Sequence, residues 1–179
     1  MLVQHAAELR TPEVMRLLFQ MAASGHLMLS GMHAPDAVTA LRRLLDIGKV
    51  PPRLLAENVL GVLDQRLVKL SCPHCRAMKP LSSSDAERMK LAPSRTRFKA
   101  AENRGCDRCQ GTGALGRCLV GALLVPGKEL RAALDAGQVG EEALRAALPA
   151  IARTLRDAIL ERLAGGELTP PSAIEALGV

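Results

Sequence analysis

Four cysteines in two C-x-x-C pairs constrain this chain more than any other feature. The pairs are Cys72-Pro73-His74-Cys75 and Cys106-Asp107-Arg108-Cys109, with thirty residues between them. Two residues between cysteines let both sulfurs reach one metal ion from a tight turn. Two such turns complete the four-coordinate shell that zinc prefers. Thiolates select zinc or an iron–sulfur centre over hard cations. With no sign of redox partners, the spacing points to structural zinc on Cys72, Cys75, Cys106 and Cys109. The competing readings are four ordinary buried cysteines, or a redox C-x-x-C. His74 could replace one ligand but is expected on the surface of its turn. The fifth cysteine, Cys118, stands apart and is expected as a small core residue. The gap is longer than in a compact zinc ribbon, so a folded insert lies between the two turns. That insert lacks a core of its own, and metal binding should contribute to its folding. Four cysteines also leave no open position for water, which argues against a catalytic metal.

Composition bounds the rest. A length of 179 residues suits one ordinary domain, or a small domain with an appendage. The hydrophobic fraction is 48% but the aromatic fraction only 1%, from Phe19 and Phe98. The core must be built from Leu, Val, Ala and Met, which favours helices. The net charge of +6 permits nucleic acid or an anionic surface as partner. Single-strand binders stack bases on aromatic rings, so the near absence of such rings argues against nucleic acid. An odd number of cysteines fits metal ligation in a reducing compartment better than disulfides. No apolar run approaches the ~20 residues of a membrane helix. The first residues carry no basic-then-apolar leader. The expectation is a soluble, cytosolic protein without a transmembrane segment.

Along the chain, Thr11-Pro12-Glu13 reads as a helix start, with Thr as N-cap and Pro at the first helical position. Val14, Leu17, Leu18, Met21 and Ala22 repeat at helical spacing, and Gly25 ends the helix. His26 to Ser30 is expected as a short buried strand. Pro35-Asp36 begins a second helix with Val38, Leu41, Leu44 and Leu45 inward. Pro51-Pro52 opens a third, whose stripe is Leu54, Leu55, Asn58, Val59, Val62, Leu63 and Leu67. Ser82 to Asp85 and Pro93 to Thr96 are loop-like. From Gly127 the chain is helical, with breaks near Gly137–Gly140, Pro149 and Gly165-Gly166, and a last helix after Pro170-Pro171. The segment Gly111-Thr112-Gly113-Ala114-Leu115-Gly116 matches G-x-G-x-x-G. A dinucleotide fingerprint must follow a strand and open a helix. Here the glycines follow a cysteine turn and lead into Leu119-Val120, so they are expected to shape a turn and the start of a strand.

Glu8, His26 and His33 are the candidate chemical residues of the first part. A carboxylate at a strand end could orient water, and imidazoles on the next strand could contact a phosphate. Ala7-Glu8-Leu9-Arg10-Thr11-Pro12 resembles the Walker B segment of the ATPases that drive type II secretion and type IV pilus assembly. Ser24 to Ala37 resembles their histidine box. Leu41 to Gly48, Leu63 to Val68, both cysteine pairs, Gly113 to Arg117, Thr154 to Asp157 and Leu163 to Thr169 follow in the order that family shows.

The resemblance implies an α/β fold: a partial P-loop NTPase (RecA-like) core with an inserted four-cysteine zinc subdomain and a C-terminal helical region. The boundaries expected are 1–70, 71–121 and 122–179. It implies that Glu8 polarises the attacking water, and that His33, with His26, lies near the γ-phosphate. The family forms hexameric rings that use ATP and Mg²⁺. Intact secretion or pilus ATPase subunits, or inner-membrane platform components, are the partners implied. The expected location is cytoplasmic, or peripheral at the inner membrane of a bacterium.

The sequence also departs from that pattern. No G-x-x-x-x-G-K-[ST] occurs, so the backbone amides, lysine and hydroxyl that bind triphosphate are missing. The family's earlier acidic box and N-terminal domain are missing too. Gln4 and His5 stand where a strand buried on both faces should be apolar. Thr11 replaces the Walker B Asp, Ala34-Pro35 replaces Thr-Asn, and Gly121-Ala122 replaces an acid. The sequence therefore predicts a truncated or degenerate secretion ATPase homologue without autonomous hydrolysis, with ATP and Mg²⁺ bound only if a partner completes the site. A sheet without its phosphate-loop strand has an open edge that a partner must cover. The alternative is a zinc-stabilised basic module that binds nucleic acid or an acidic protein.

Overall fold

The computed structural model describes residues 8–92, 97–148 and 153–179, and the backbone of residues 3–5. The loop expected at Pro93–Thr96, the break expected at Pro149 and the side chains of Gln4 and His5 lie outside the described residues. The chain divides into two compact units. Unit 1 comprises Met1–Asp64 and Leu123–Ala152, and unit 2 comprises Gln65–Ala122 and Arg153–Val179.

In unit 1, strand β1 (Val3–His5) pairs in parallel with β2 (Leu27–Leu29), Val3 opposite Leu27 and His5 opposite Leu29. Helix α1 (Pro12–Ala23) connects them. Thr11 caps it by accepting from the Val14 amide, and Pro12 occupies the first turn, where its missing N–H costs nothing. The buried side chains of α1 are Met15 and Phe19, whereas Val14 and Leu17 are exposed. The inward stripe is thus rotated from the one expected, because the helix is apolar on two sides and only one meets the core. Strand β2 is likewise only half-buried, with Leu29 exposed.

Helix α2 (Ala37–Asp46) starts on Asp36, which accepts from the Thr39 amide at 2.7 Å, and buries Val38, Leu41, Leu44 and Leu45. Helix α3 (Pro52–Asn58) stops where the Asn58 side chain turns back and donates from Nδ2 to the Leu54 carbonyl. Later in the chain, α5 (Lys128–Asp135) and α6 (Glu141–Ala146) complete this unit. Arg131 of α5 donates to the carbonyls of Ala56 and Val59, orphaned at the end of α3. Arg145 of α6 bonds Asp36 at 2.7 Å. The core joins Met15, Phe19, Leu41, Leu55, Leu130, Leu134 and Leu144.

The helical stripe expected to run on to Leu67 is corrected. Residues Val62–Ser71 form strand β3, which pairs with β6 (Ala114–Leu124). Val68 and Ser71 are buried while Leu63 and Leu67 are exposed. The boundary between the units falls inside both strands, at Asp64/Gln65 and Ala122/Leu123.

In unit 2, β4 (Arg76–Pro80) pairs antiparallel with β5 (Lys99–Asn103), Arg76 opposite Asn103. The loop expected at Ser82–Asp85 is instead the start of helix α4 (Ser83–Arg88), whose N-cap Ser82 accepts from the Asp85 amide. Helices α7 (Leu155–Ala164) and α8 (Pro170–Leu177) follow, each capped by a threonine, Thr154 and Thr169. The core of this unit gathers Val68, Met89, Ala100, Val120, Ile159, Leu163, Leu168 and Ile174, with Cys118 partly buried against it. Among the described residues no helix is long and apolar enough to cross a membrane.

Candidate functional site

The two cysteine turns meet in unit 2. Cys72 and Cys75 lie on the link from β3 to β4. Cys106 and Cys109 bracket a single 3₁₀ turn, Asp107–Cys109, after β5. Gly105 precedes that turn at φ +82°, and a Cβ there would meet the Gly111 carbonyl oxygen at 2.5 Å. Only glycine lets the loop close so tightly.

All four sulfurs lie within 4.8 Å of one another. The Cys72–Cys106 and Cys75–Cys109 separations are 3.9 Å, and Cys106–Cys109 is 3.8 Å. A tetrahedron with metal–sulfur bonds of about 2.3 Å has edges of about 3.8 Å. The donor set therefore fits a four-coordinate soft metal, and the spacing is far too long for disulfides. Cys72 and Cys109 are buried, while Cys75 and Cys106 are partly exposed. Amide hydrogens already point at sulfur, from Cys106 and Gly113 to Cys109 Sγ, each at 3.2 Å. Burial opposes ionisation of Cys109, but those amides together with the Cys106 and Cys75 thiols outweigh it and bring its thiol down to about 6. Burial and the neighbouring thiols push Cys75 up to about 12. One cation at the centre would relieve that conflict by holding all four as thiolates.

A second cluster lies in unit 1. Glu8 follows β1 by three residues and His33 follows β2 by four, so both sit in loops beyond the carboxyl ends of adjacent parallel strands. Ligands of parallel α/β sheets bind at that end. The two loops are tied by the Leu9 amide, which donates to the Gly31 carbonyl at 2.8 Å. His33 Nε2 lies 2.8 Å from Glu8 Oε1. Arg10 donates twice to the other carboxylate oxygen, from Nε at 2.9 Å and Nη2 at 2.7 Å. The Arg10 guanidinium lowers the Glu8 carboxyl from its ordinary value against an opposing effect of burial, and His33 adds to the lowering. Glu8 is thus an anion at neutral pH. His26, by contrast, contacts Ser24 Oγ at 3.0 Å, and that hydroxyl bonds the Met21 carbonyl. The structure brings Glu8 and His33 together and leaves His26 with its own loop.

Arg10 and Asn103 are the polar residues that sequence reasoning passed over. Arg10 had a local signal, two residues from an acid. Asn103 had none, because its partners, Ser71 and Gly113, come from distant stretches of chain.

The type II/IV secretion system protein family model matches residues 6–175. Type II secretion system protein E of Klebsiella pneumoniae is 37% identical over 131 residues, covering 73% of this chain and 26% of that protein. The type IV pilus assembly ATPase PilB of Thermus thermophilus is 33% identical over 151 residues, covering 84% of this chain and 17% of that protein. Among solved structures, the Legionella pneumophila ATPase DotB superposes with a TM-score of 0.64 at 14% identity, covering 98% of this chain and 38% of that one. The chain thus spans about a quarter or less of the length of these two sequence relatives, and the DotB likeness shows that its fold is that of part of such an ATPase.

Proposed function

Because the chain belongs to the type II/IV secretion system protein family, we propose that it carries the water-activating acid, the histidine box and the zinc subdomain of a secretion or pilus-assembly ATPase, and that these 179 residues do not hydrolyse ATP by themselves. The observation that carries this reading is the Glu8–His33 pair beyond two adjacent parallel strands. Glu8 is the acid that polarises the attacking water, and His33 turns its imidazole toward the terminal phosphate. His26 has a weaker claim, since its ring is engaged by Ser24.

Hydrolysis also needs a phosphate cradle, normally the largest electrostatic contribution at such a site. No G-x-x-x-x-G-K-[ST] stands in these residues. The cradle and Mg²⁺ therefore come with another polypeptide segment, such as an intact subunit of an ATPase ring at the cytoplasmic face of the inner membrane. In this reading the metal subdomain keeps a structural role. Cys72, Cys75, Cys106 and Cys109 hold Zn²⁺, which supplies cross-linking of two loops and no reaction step.

Phosphate release by the purified chain with ATP and Mg²⁺ tests the proposal. No release above buffer is expected alone, and a changed rate is expected when the chain is added to a family ATPase. Turnover by the chain alone, with ordinary Mg²⁺ dependence, would overturn the claim.

One observation favours a second reading, a basic module that holds an acidic partner. Unit 2 contains 15 Lys and Arg against 8 Asp and Glu, whereas unit 1 contains 9 against 10. Binding to an acidic polymer that weakens steeply with salt would favour it.

A further inference from the structure

The side-chain amide of Asn103 sits where three strands come together beside the metal centre. It donates to the Gly113 carbonyl and accepts from the Ser71 hydroxyl at 3.1 Å. Ser71 and Gly113 are each one step from a sulfur ligand. Ser71 precedes Cys72 in the chain, is buried, and is fixed by its amide to the Glu167 carbonyl at 2.8 Å. Gly113 accepts from the Cys72 amide at 2.9 Å and donates its own N–H to Cys109 Sγ at 3.2 Å. One residue of β5 therefore connects the first cysteine turn to the second. The fit is close: a Cβ on Gly113 would lie 2.8 Å from the Asn103 Cβ, and Gly113 has φ +70°.

We infer that Asn103 is a positioning residue of the metal centre, an outer-sphere clasp that sets Cys72 against Cys109 through Ser71 and Gly113. The inference rests on the reading of the four cysteines as a metal site. An asparagine suits this position because it must donate to a carbonyl and accept from a hydroxyl at once. Aspartate keeps the shape and the acceptor but loses the donor, and sets a carboxylate against the Gly113 carbonyl. Glycine 113 then does the second half of the work. Its carbonyl is held by Asn103 and the Cys72 amide, which aims its N–H at the Cys109 sulfur. Hydrogen bonds to ligating atoms and their neighbours fix ligand orientation and tune affinity, and their loss typically costs about 10–100-fold in metal binding.

The test uses the full chain with Zn²⁺ alone, in competition with a chromophoric chelator, and with Co²⁺ as a spectroscopic substitute. The wild type should bind about one ion per chain. Asn103→Ala and Asn103→Asp should both weaken Zn²⁺ binding by about tenfold or more and shift the visible spectrum of the cobalt-loaded protein, with helix content unchanged. A loss of packing alone would not make the isosteric aspartate as damaging as alanine. Unchanged affinity and spectrum in both variants would overturn the inference while leaving the metal site intact. If Asn103 variants fail to fold, Ser71→Ala decides: it deletes one bond of the clasp and should weaken Zn²⁺ several-fold, and wild-type affinity there overturns the inference. A wild-type chain that binds no Zn²⁺ overturns the metal reading first, and the clasp with it.

Discussion

The two units solve the same problem with different materials. Unit 1 is nearly neutral and is held by facing helices, with Met15, Phe19, Leu41, Leu55 and Leu130 filling one core. Unit 2 carries the basic excess of the chain. Its helices α7 and α8 close a second core, but the cysteine turns lie outside that core's residues, in loops rich in glycine and charge. Apolar packing tolerates gradual loss, since each side chain contributes a share. A four-ligand site does not, because three sulfurs cannot complete the shell. The contrast teaches where each kind of damage should appear.

The largest effect is expected from the metal. Strong chelators, or Cys106→Ser, should melt the β4–β5 pair and both cysteine turns, with hydrogen exchange in α1 to α3 little changed. Equal loss of protection in the two units would break the contrast. Next comes Leu55→Ala, at a side chain with no exposure. It should cost about 2–5 kcal/mol, read as a lower denaturation midpoint, without altering metal content. A weakened metal site in that variant would show that the units do not act separately.

How much of this contrast was legible in the sequence depends on distance along the chain. The helix starts at Thr11-Pro12 and Pro51-Pro52 were readable because caps and prolines act within one turn. The four-cysteine cluster was readable because ligand spacing is local within each pair and metals demand four donors. Strand β3 was misread because Leu54, Leu55, Asn58, Val59, Val62 and Leu63 keep helical spacing across Gly61. The alternation of Val62, Val68 and Leu70 with Leu63, Leu67 and Lys69 was the competing signal, and it becomes decisive only once β6 pairs alongside. Helix α4 was missed although Ser82-x-x-Asp85 is a cap pattern. The short span and the many serines looked like a loop. Glu8, His26 and His33 are legible as candidates from their residue types beside expected strands, and the resemblance to known segments adds to this, whereas the contact between Glu8 and His33 depends on two strands meeting. Their role in hydrolysis remains the proposal made above.

Smaller effects refine the comparison. Thr154 caps α7, and its hydroxyl and amide bond the Asp157 carboxylate in return. Thr154→Ala should cost about 1 kcal/mol, seen as a lower melting point of unit 2 and not of unit 1. The smallest effect concerns acid. Burial works against ionisation of Asp36, but hydrogen bonds from Arg145 and Thr39 outweigh it and lower its carboxyl below the ordinary value. A lowered folded value means that the contribution is present above the unfolded value, about 3.9, and is lost as pH falls through the folded one. Acid titration followed by thermal melting should show this loss below about pH 4, and Asp36→Asn should flatten it while keeping the cap. Because the pair is partly exposed, the change should be a small fraction of the total.

The two units are interleaved along the chain: each is assembled from an early and a late segment. This order has a consequence for biosynthesis. Leu9 to Val59 emerge from the ribosome before the cysteine-bearing stretch, yet their partners Leu130, Leu134 and Leu144 come only after all of it. That stretch in turn must wait for Ile159, Leu163 and Ile174 before its own core can close. Apolar surface of the early segment therefore stays open while the cysteine-bearing stretch is made, the condition in which nascent chains aggregate. No single cut yields either unit whole, so an isolated unit would need a gene that joins its two separated segments rather than a shortened one.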